Sequence, residues 1–400
     1  MSFASRYIEK QVLSPAFVHN QPSADLGMIV MIPSCNEPEL VKTIESLSVC
    51  QSPECLVEVI VLINEAEQCN MEISRQNEKT LKLLLDWEMI HPDVFFKLYP
   101  IYPAPFPAKH AGVGLARKTG MDEAVRRFGQ LEKPDGIIVS LDADTLVEPN
   151  YLVEIDKLFS SEIKLAGTTI SFRHRVEEIG DQQQREGITL YETYLHYYKE
   201  ALEYCGYPHA IYTIGSAFAV RACAYVKQGG MSQRQAGEDF YFLHKLTQLG
   251  QLAELNTTRV YPSARVSDRV PFGTGAALQK WMKGDSRLRS TYCFRSFIDL
   301  REFFRLIPVL YLQNLESVDD LGVSLPLKRF LKEDDFMDAL TGIRSNSSSA
   351  VAFEKRFFQY FNAFKILKFQ NFTHPQFYDY QDLNQAVADL KEAKSVSRDF

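Results

Sequence analysis

Three short apolar runs, Met28–Ile32, Val57–Ile63 and Gly136–Leu141, dominate the first third of the chain, and the stretches between them carry apolar residues at helical spacing. Continuous apolar runs of this length read as strands buried on both faces of a parallel sheet. Glu37–Val49 (with Leu40, Val41, Ile44 and Leu47), Thr80–Ile90 and Gly114–Phe128 read as helices, and Val94–Tyr99 as a further short strand. Tyr102–Pro107 holds Pro103, Pro105 and Pro107 and reads as loop, because that density of proline excludes helix and central strand. Strands alternating with helices imply a parallel sheet with crossover connections. Such sheets bind ligands beyond the carboxyl ends of their strands. Asn36-Glu37, Asn64-Glu65 and Asp142-Ala143-Asp144 follow those ends and are expected to converge on one crevice.

The remainder is patterned differently. Leu165–Phe172 reads as another strand, and Glu186–Cys205 as a tyrosine-rich helix. Phe240–Leu249 reads as a helix opened by Glu238-Asp239. Residues 1–25 show little periodicity. Beyond about 290 the glycine signals stop and the chain reads as mainly helical, with a polar loop at Ser345–Ser349. A length of 400 residues is large for one average core. The expected division is a lead-in over 1–26, an α/β domain over 27–290 and a helical region over 291–400.

A net charge of −7 argues against a general nucleic-acid binder, which needs a basic face. The cysteines Cys35, Cys50, Cys55, Cys69, Cys205, Cys223 and Cys293 are odd in number and form no C-x-x-C pair. Reduced thiols in a cytoplasmic protein are the simpler reading. The start of the chain lacks a basic block followed by an apolar one, and no run of eighteen apolar residues occurs. Peripheral membrane contact is compatible with this pattern; a membrane span is not expected.

Two carboxylates at a strand end, Asp142 and Asp144, suit a hard divalent cation, Mn2+ or Mg2+, with positions left for phosphate oxygens. Glu238 and Asp239 stand where a helix N-terminus stabilises carboxylates, and Asp239 is placed to act as a general base. Arg265 and Arg269 stand beside a glycine-containing loop, Pro271–Gly275, and Arg117 lies on the helix before the Asp142 strand. Guanidinium groups there match a diphosphate.

Taken together, Ile32-Pro-Ser-Cys-Asn-Glu37, Ser140-Leu-Asp-Ala-Asp144 and Gly237-Glu-Asp239 resemble the family 2 glycosyltransferases of the GT-A type. Gly112–Gly120, Val147–Leu152 and Gly215–Arg221 are similar to the family's intervening segments, so the resemblance covers roughly residues 27–290. It implies a GT-A-type, Rossmann-like, mostly parallel sheet, here with a mainly helical C-terminal extension. It also implies an inverting transfer from a nucleotide-diphosphate sugar. Pro33, Asn36 and Glu37 would lie by the nucleotide and Asn64 by the base. Asp142 would contact ribose or sugar and share the metal held by Asp144, and Asp239, with Glu238 beside it, would be the base. The donor is expected to be a UDP- or GDP-sugar, and the acceptor a hydroxyl of a saccharide or lipid-linked saccharide. The turn Asn64-Glu65-Ala66-Glu67 departs from the family's Asp-rich turn, and no third metal ligand stands out. A sugar nucleotidyltransferase would need a glycine-rich loop after the first strand, which Pro33–Glu37 lacks. A dehalogenase-type phosphatase would need the glycine missing from Asp142-Ala-Asp-Thr-Leu146. A catalytically silent nucleotide-sugar-binding protein is the remaining alternative.

Overall fold

A computed structural model describes residues 2–12, 14–234, 237–267 and 273–396. The chain opens with α1 (Ser5–Gln11), β1 (Leu26–Ser34), α2 (Leu40–Ser48), β2 (Leu56–Ile63), α3 (Met71–Ile90), β3 (Phe96–Ile101), α4 (Val113–Gln130) and β4 (Ile137–Ser140). The strands pair in parallel in the order β3-β2-β1-β4. β1 has a neighbour on each side, so Met28–Ile32 is fully buried. It also continues through Pro33, past the apolar run. The Met31 carbonyl accepts from the Leu141 N–H on the β4 side. Pro33, two residues on, faces the same edge beyond the last β4 rung, so its missing N–H forfeits no ladder bond. α3 starts nine residues before the expected Thr80, where Asn70 accepts from the Glu72 N–H at 3.0 Å. Its first turns are too polar to show an apolar stripe.

The chain continues with β5 (Leu146–Val147), α5 (Tyr151–Ser161), β6 (Leu165–Phe172), α6 (Gln182–Tyr204), β7 (Phe218–Arg221), α7 (Ala222–Gln228), α8 (Glu238–Leu246), β8 (Gln251–Tyr261) and α9 (Thr274–Met282). β7 lies antiparallel between β4 and β6, β8 is parallel to β6, and β5 closes the far edge against β8. The result is an eight-stranded sheet in the order β3-β2-β1-β4-β7-β6-β8-β5. β8 has no counterpart among the sequence expectations. Its polar stretch Glu254-Leu-Asn-Thr-Thr-Arg259 presents many exposed side chains and lacks an apolar run.

The lead-in is more ordered than its composition suggests. α4 carries Lys118, Asp122, Glu123 and Arg127, all buried. Tyr7, Val18 and Asn20 of the lead-in help to bury them. The Tyr7 hydroxyl donates to Asp122 Oδ1 at 2.7 Å, and Lys118 donates to Asp122 Oδ2 at 2.7 Å. The Val18 N–H donates to Glu123 at 3.0 Å, and Arg127 donates to the Asn20 carbonyl at 2.9 Å while forming a bidentate pair with Glu58 of β2. Buried charges persist only when paired in this way. On the sheet side, α4 approaches β1 so closely that a Cβ at Gly120 would stand 2.5 Å from Met31 Cε.

The remaining elements are β9 (Ser290–Thr291), α10 (Phe294–Phe304), α11 (Ile307–Leu312), α12 (Leu325–Glu333), α13 (Phe336–Ser345), α14 (Ala350–Tyr360), α15 (Ala363–Thr373), β10 (Gln381–Asp382) and α16 (Leu383–Val396). The chain forms two units, Met1–Gly180 with Thr213–Gln279, and Asp181–Tyr212 with Lys280–Phe400. α6, inside the expected 27–290 domain, therefore groups with the C-terminal helices. That second unit is packed around phenylalanines, among them Phe297, Phe303, Phe336, Phe353 and Phe357. Trp281 is buried there, its indole N–H donating to the Gln183 carbonyl at 2.7 Å. The architecture is α/β with a mainly helical C-terminal region, as the resemblance implies. No helix among the described residues is long and apolar enough to cross a membrane, and all seven cysteines are free thiols.

Candidate active site

The carboxyl ends of β1, β2 and β4 do converge, and three side chains bridge them. The first is Asn77 of α3, which is fully buried. Its Oδ1 accepts from the Asn36 N–H at 2.9 Å, and its Nδ2 donates to the Asn64 carbonyl at 3.1 Å. It thus ties the loop after β1, where Asn36 takes a left-handed φ of 51°, to the loop after β2. Glu65 accepts from the Tyr102 hydroxyl at 2.6 Å, which brings in the loop after β3.

The second bridge is Arg265, on the segment between β8 and α9. It pairs with both oxygens of Glu37 and reaches Asp144 Oδ2 at 3.5 Å. Glu37 is buried, whereas the Asp144 side chain is 28% exposed.

The third bridge is Arg117. Its Nε donates to Glu238 Oε1 at 3.1 Å and its Nη2 to Asp142 Oδ1 at 2.9 Å. Its Nη1 donates to Ser140 Oγ at 2.6 Å and to the Gly215 carbonyl at 2.9 Å. Burial works against this charge, but Asp142, Glu238 and Asp239 outweigh it and hold the guanidinium above its ordinary value. Four of its N–H groups are therefore spent inside the protein. Arg117 joins the β4 end to the start of α8 and leaves little for a diphosphate.

α8 is capped by Gly237, whose φ of 72° places the turn that a side chain would strain. Glu238 and Asp239 fill its first turn, where free N–H groups and the helix dipole favour carboxylates. Asp239 Oδ1 accepts from the Phe240 N–H at 2.7 Å. Gly215 lies directly against the pair: a Cβ there would stand 2.5 Å from Arg117 Nη2 and 3.4 Å from Asp239 Oδ2. Desolvation, reinforced by the neighbouring Glu238, pushes the Asp239 carboxyl up to about 7, against the pull of Arg117 and the Phe240 N–H. A carboxylate at that value both takes and returns a proton near neutrality.

Asp142 and Asp144 sit on the turn after β4, in which the Thr145 N–H donates to the Asp142 carbonyl at 3.1 Å. Both are partly exposed, at 35% and 28% of their side chains. Five carboxylates, Glu37, Asp142, Asp144, Glu238 and Asp239, stand here with the guanidinium groups of Arg117 and Arg265. That excess of hard, anionic oxygens fits Mn2+ or Mg2+. No group of three or more His, Cys, Asp or Glu is preassembled as a cage among the described residues. Two carboxylates would have to be completed by a ligand's phosphate oxygens and water.

Pro33, Asn36, Glu37, Asn64, Asp142 and Asp144 thus lie at the strand ends, and Glu238 and Asp239 join them through Arg117. Arg269 lies outside the described residues. Glu65 was expected at the crevice with Asn64, whereas Asn77 was not singled out from the sequence. An isolated amide carries no pattern, and its role arises only from lying between two strand ends.

No curated protein matches the chain. Among solved structures, S. aureus TarS 1-349 is similar at 14% identity over 83% of this chain and 91% of that one, with a TM-score of 0.42. The same protein in complex with UDP-GlcNAc gives 12% identity, 86% and 90% coverage, and a TM-score of 0.44. The mannosyltransferase PcManGT from Pyrobaculum calidifontis in complex with GDP-Man and Mn2+ gives 14% identity, 97% and 92% coverage, and a TM-score of 0.39. Likenesses this loose transfer no residue roles. The family model for Glycosyl transferase family group 2 matches residues 137–315. That stretch, a little under half of the chain, runs from β4 to just past α11 and contains Asp142, Asp144, Glu238 and Asp239, so over these residues the chain is similar to the family 2 glycosyltransferases.

Proposed function

We propose that the protein transfers a sugar from a nucleotide-diphosphate sugar, UDP- or GDP-linked, to a hydroxyl of a saccharide or lipid-linked saccharide, with inversion at the anomeric carbon. The observation that carries this reading is the tie through Arg117 between Asp142, at the β4 end, and Glu238-Asp239, at the α8 N-terminus. A carboxylate able to take a proton, tied to one suited to a metal, supports this reading.

In this reading Asp239 accepts the proton of the acceptor hydroxyl as that oxygen attacks opposite the departing diphosphate, a single displacement that inverts configuration. Glu238 and Arg117 are positioning residues, since each is buried and holds the other. Asp142 and Asp144 would hold the divalent ion, which, when bound, neutralises charge developing on the leaving diphosphate. Pro33, Asn36 and Asn64 line the nucleotide side, with Glu65 beside Asn64. The free thiols suit a cytoplasmic protein. Peripheral membrane contact would bring a lipid-linked acceptor within reach.

The test is hydrolysis and transfer from UDP- and GDP-sugars with and without Mn2+, comparing the protein with Asp144→Ala and Asp239→Ala. Turnover lost in both variants supports the reading. Binding of donors without turnover by the unaltered protein, for every acceptor tried, would instead identify a silent sugar-nucleotide binder.

A further inference from the structure

We infer that Arg265 is the resident counter-cation of the donor site: it neutralises Glu37 and Asp144 in the free protein and turns to the diphosphate when a donor enters. This rests on the donor-site reading above. Glu37 is buried, and a buried carboxylate requires a cation or must give up its charge. Arg265 supplies that cation from 228 residues away, with Nη1 3.1 Å from Glu37 Oε1 and Nη2 on Oε2. The same Nη2 stands 3.5 Å from Asp144 Oδ2, at the limit of a hydrogen bond, and Asp144 is partly exposed. One end of the bridge is therefore firm and the other loose.

Arg265 belongs to no helix or strand, four residues past the end of β8, and a third of its side chain is accessible. A guanidinium anchored on a buried carboxylate by one edge keeps its other donors for a second anion, and its fork matches phosphate oxygens. Its positive charge also opposes a divalent ion approaching Asp144 in the absence of a donor. The arrangement makes metal and nucleotide arrive as partners, because the diphosphate draws away the charge that would otherwise repel the ion.

A merely structural Arg265 would, on removal, weaken everything bound nearby. A counter-cation gives effects of opposite sign, and that difference is measurable without turnover. Mn2+ binding is titrated by electron paramagnetic resonance in the absence of nucleotide, and UDP and GDP binding by calorimetry in the absence of metal. For Arg265→Gln the expected result is Mn2+ bound about ten-fold tighter and the nucleotide bound about ten-fold weaker. Arg265→Lys, which keeps the charge without the fork, holds Mn2+ affinity near that of the unaltered protein and loses part of the nucleotide affinity. The Glu37→Gln, Arg265→Gln double variant removes the buried pair together and serves if the single variant does not fold. Both affinities falling, or neither changing, while the unaltered protein binds Mn2+ and UDP or GDP, overturns the inference alone. An unaltered protein that binds neither overturns the donor-site reading and the inference with it.

Discussion

Gly215→Ala tests the Arg117 bridge with one methyl group. The added Cβ would stand 2.5 Å from Arg117 Nη2 and 3.1 Å from its Cζ. Ordinary contact needs about 3.5 Å or more, so the guanidinium must retreat by about 1 Å. Its side chain is only 3% exposed and has little room. A retreat of about 1 Å stretches the 2.9 Å bond to Asp142 past hydrogen-bonding reach, and the 2.9 Å bond to the Gly215 carbonyl strains with it. Losing one or two bonds to a charged group costs about 2–5 kcal/mol. A displacement of that size at a reacting centre costs roughly 100-fold in rate. Chemical denaturation reads the first quantity, and initial rates of sugar transfer or donor hydrolysis read the second. Arg117→Lys shortens the clashing group, so it costs less when combined with Gly215→Ala than it does alone, a non-additivity expected only for residues in contact. Unchanged stability and rate in Gly215→Ala, or strict additivity in the double variant, would refute the bridge.

Asp239→Asn lowers transfer by roughly 100- to 10,000-fold while donor binding survives, measured by steady-state rates beside calorimetry. With the Asp239 carboxyl at about 7, transfer by the unaltered protein rises with pH through that value and levels above it; a flat profile would remove Asp239 as the base. The sign for stability is opposite. The fold favours the protonated form, so its contribution is complete below the ordinary value of 3.8 and is lost as pH rises through about 7. Asp239→Asn should therefore gain in melting temperature relative to the unaltered protein between pH 4 and pH 8. Asp144→Asn weakens Mn2+ binding by roughly ten-fold or more, read by electron paramagnetic resonance, with the melting temperature little changed. Tyr7→Phe removes a buried hydrogen bond to Asp122 and lowers stability by about 1–3 kcal/mol in chemical denaturation, although Tyr7 touches nothing in the candidate site.

The strands of the sheet's first half were legible because burial on both faces forces continuous apolar runs, as in Val57–Ile63. β8 was not, because much of it is exposed and its threonines and charges resemble loop sequence. The charges of α4 look like a solvated helix face; Tyr7, Val18, Asn20 and Glu58 pair with them, which no local pattern announces. In the site, the strand-end position of Asp142 and Asp144 was readable from the run before them. Arg117 was readable as a cation near the site but not as its internal tie, since Glu238 lies 121 residues further along. Arg265 was readable as a cation for a diphosphate beside a glycine-containing loop, but not as the partner of Glu37, 228 residues away.

The strap over α4 also bears on how the chain is made. Tyr7, Val18 and Asn20 find their partners on α4 only 105 to 115 residues later. At about 5–20 residues per second of synthesis, these three residues wait roughly 5–20 s before their partners on α4 exist. Until then they lack these partners, and until they return, α4 has charges that it cannot bury. Whatever grips the nascent tail, a holding chaperone or a protease, competes directly with the closing of this helix against the sheet. The helix that carries Arg117 is thus completed by residues made more than a hundred positions before their partners on it.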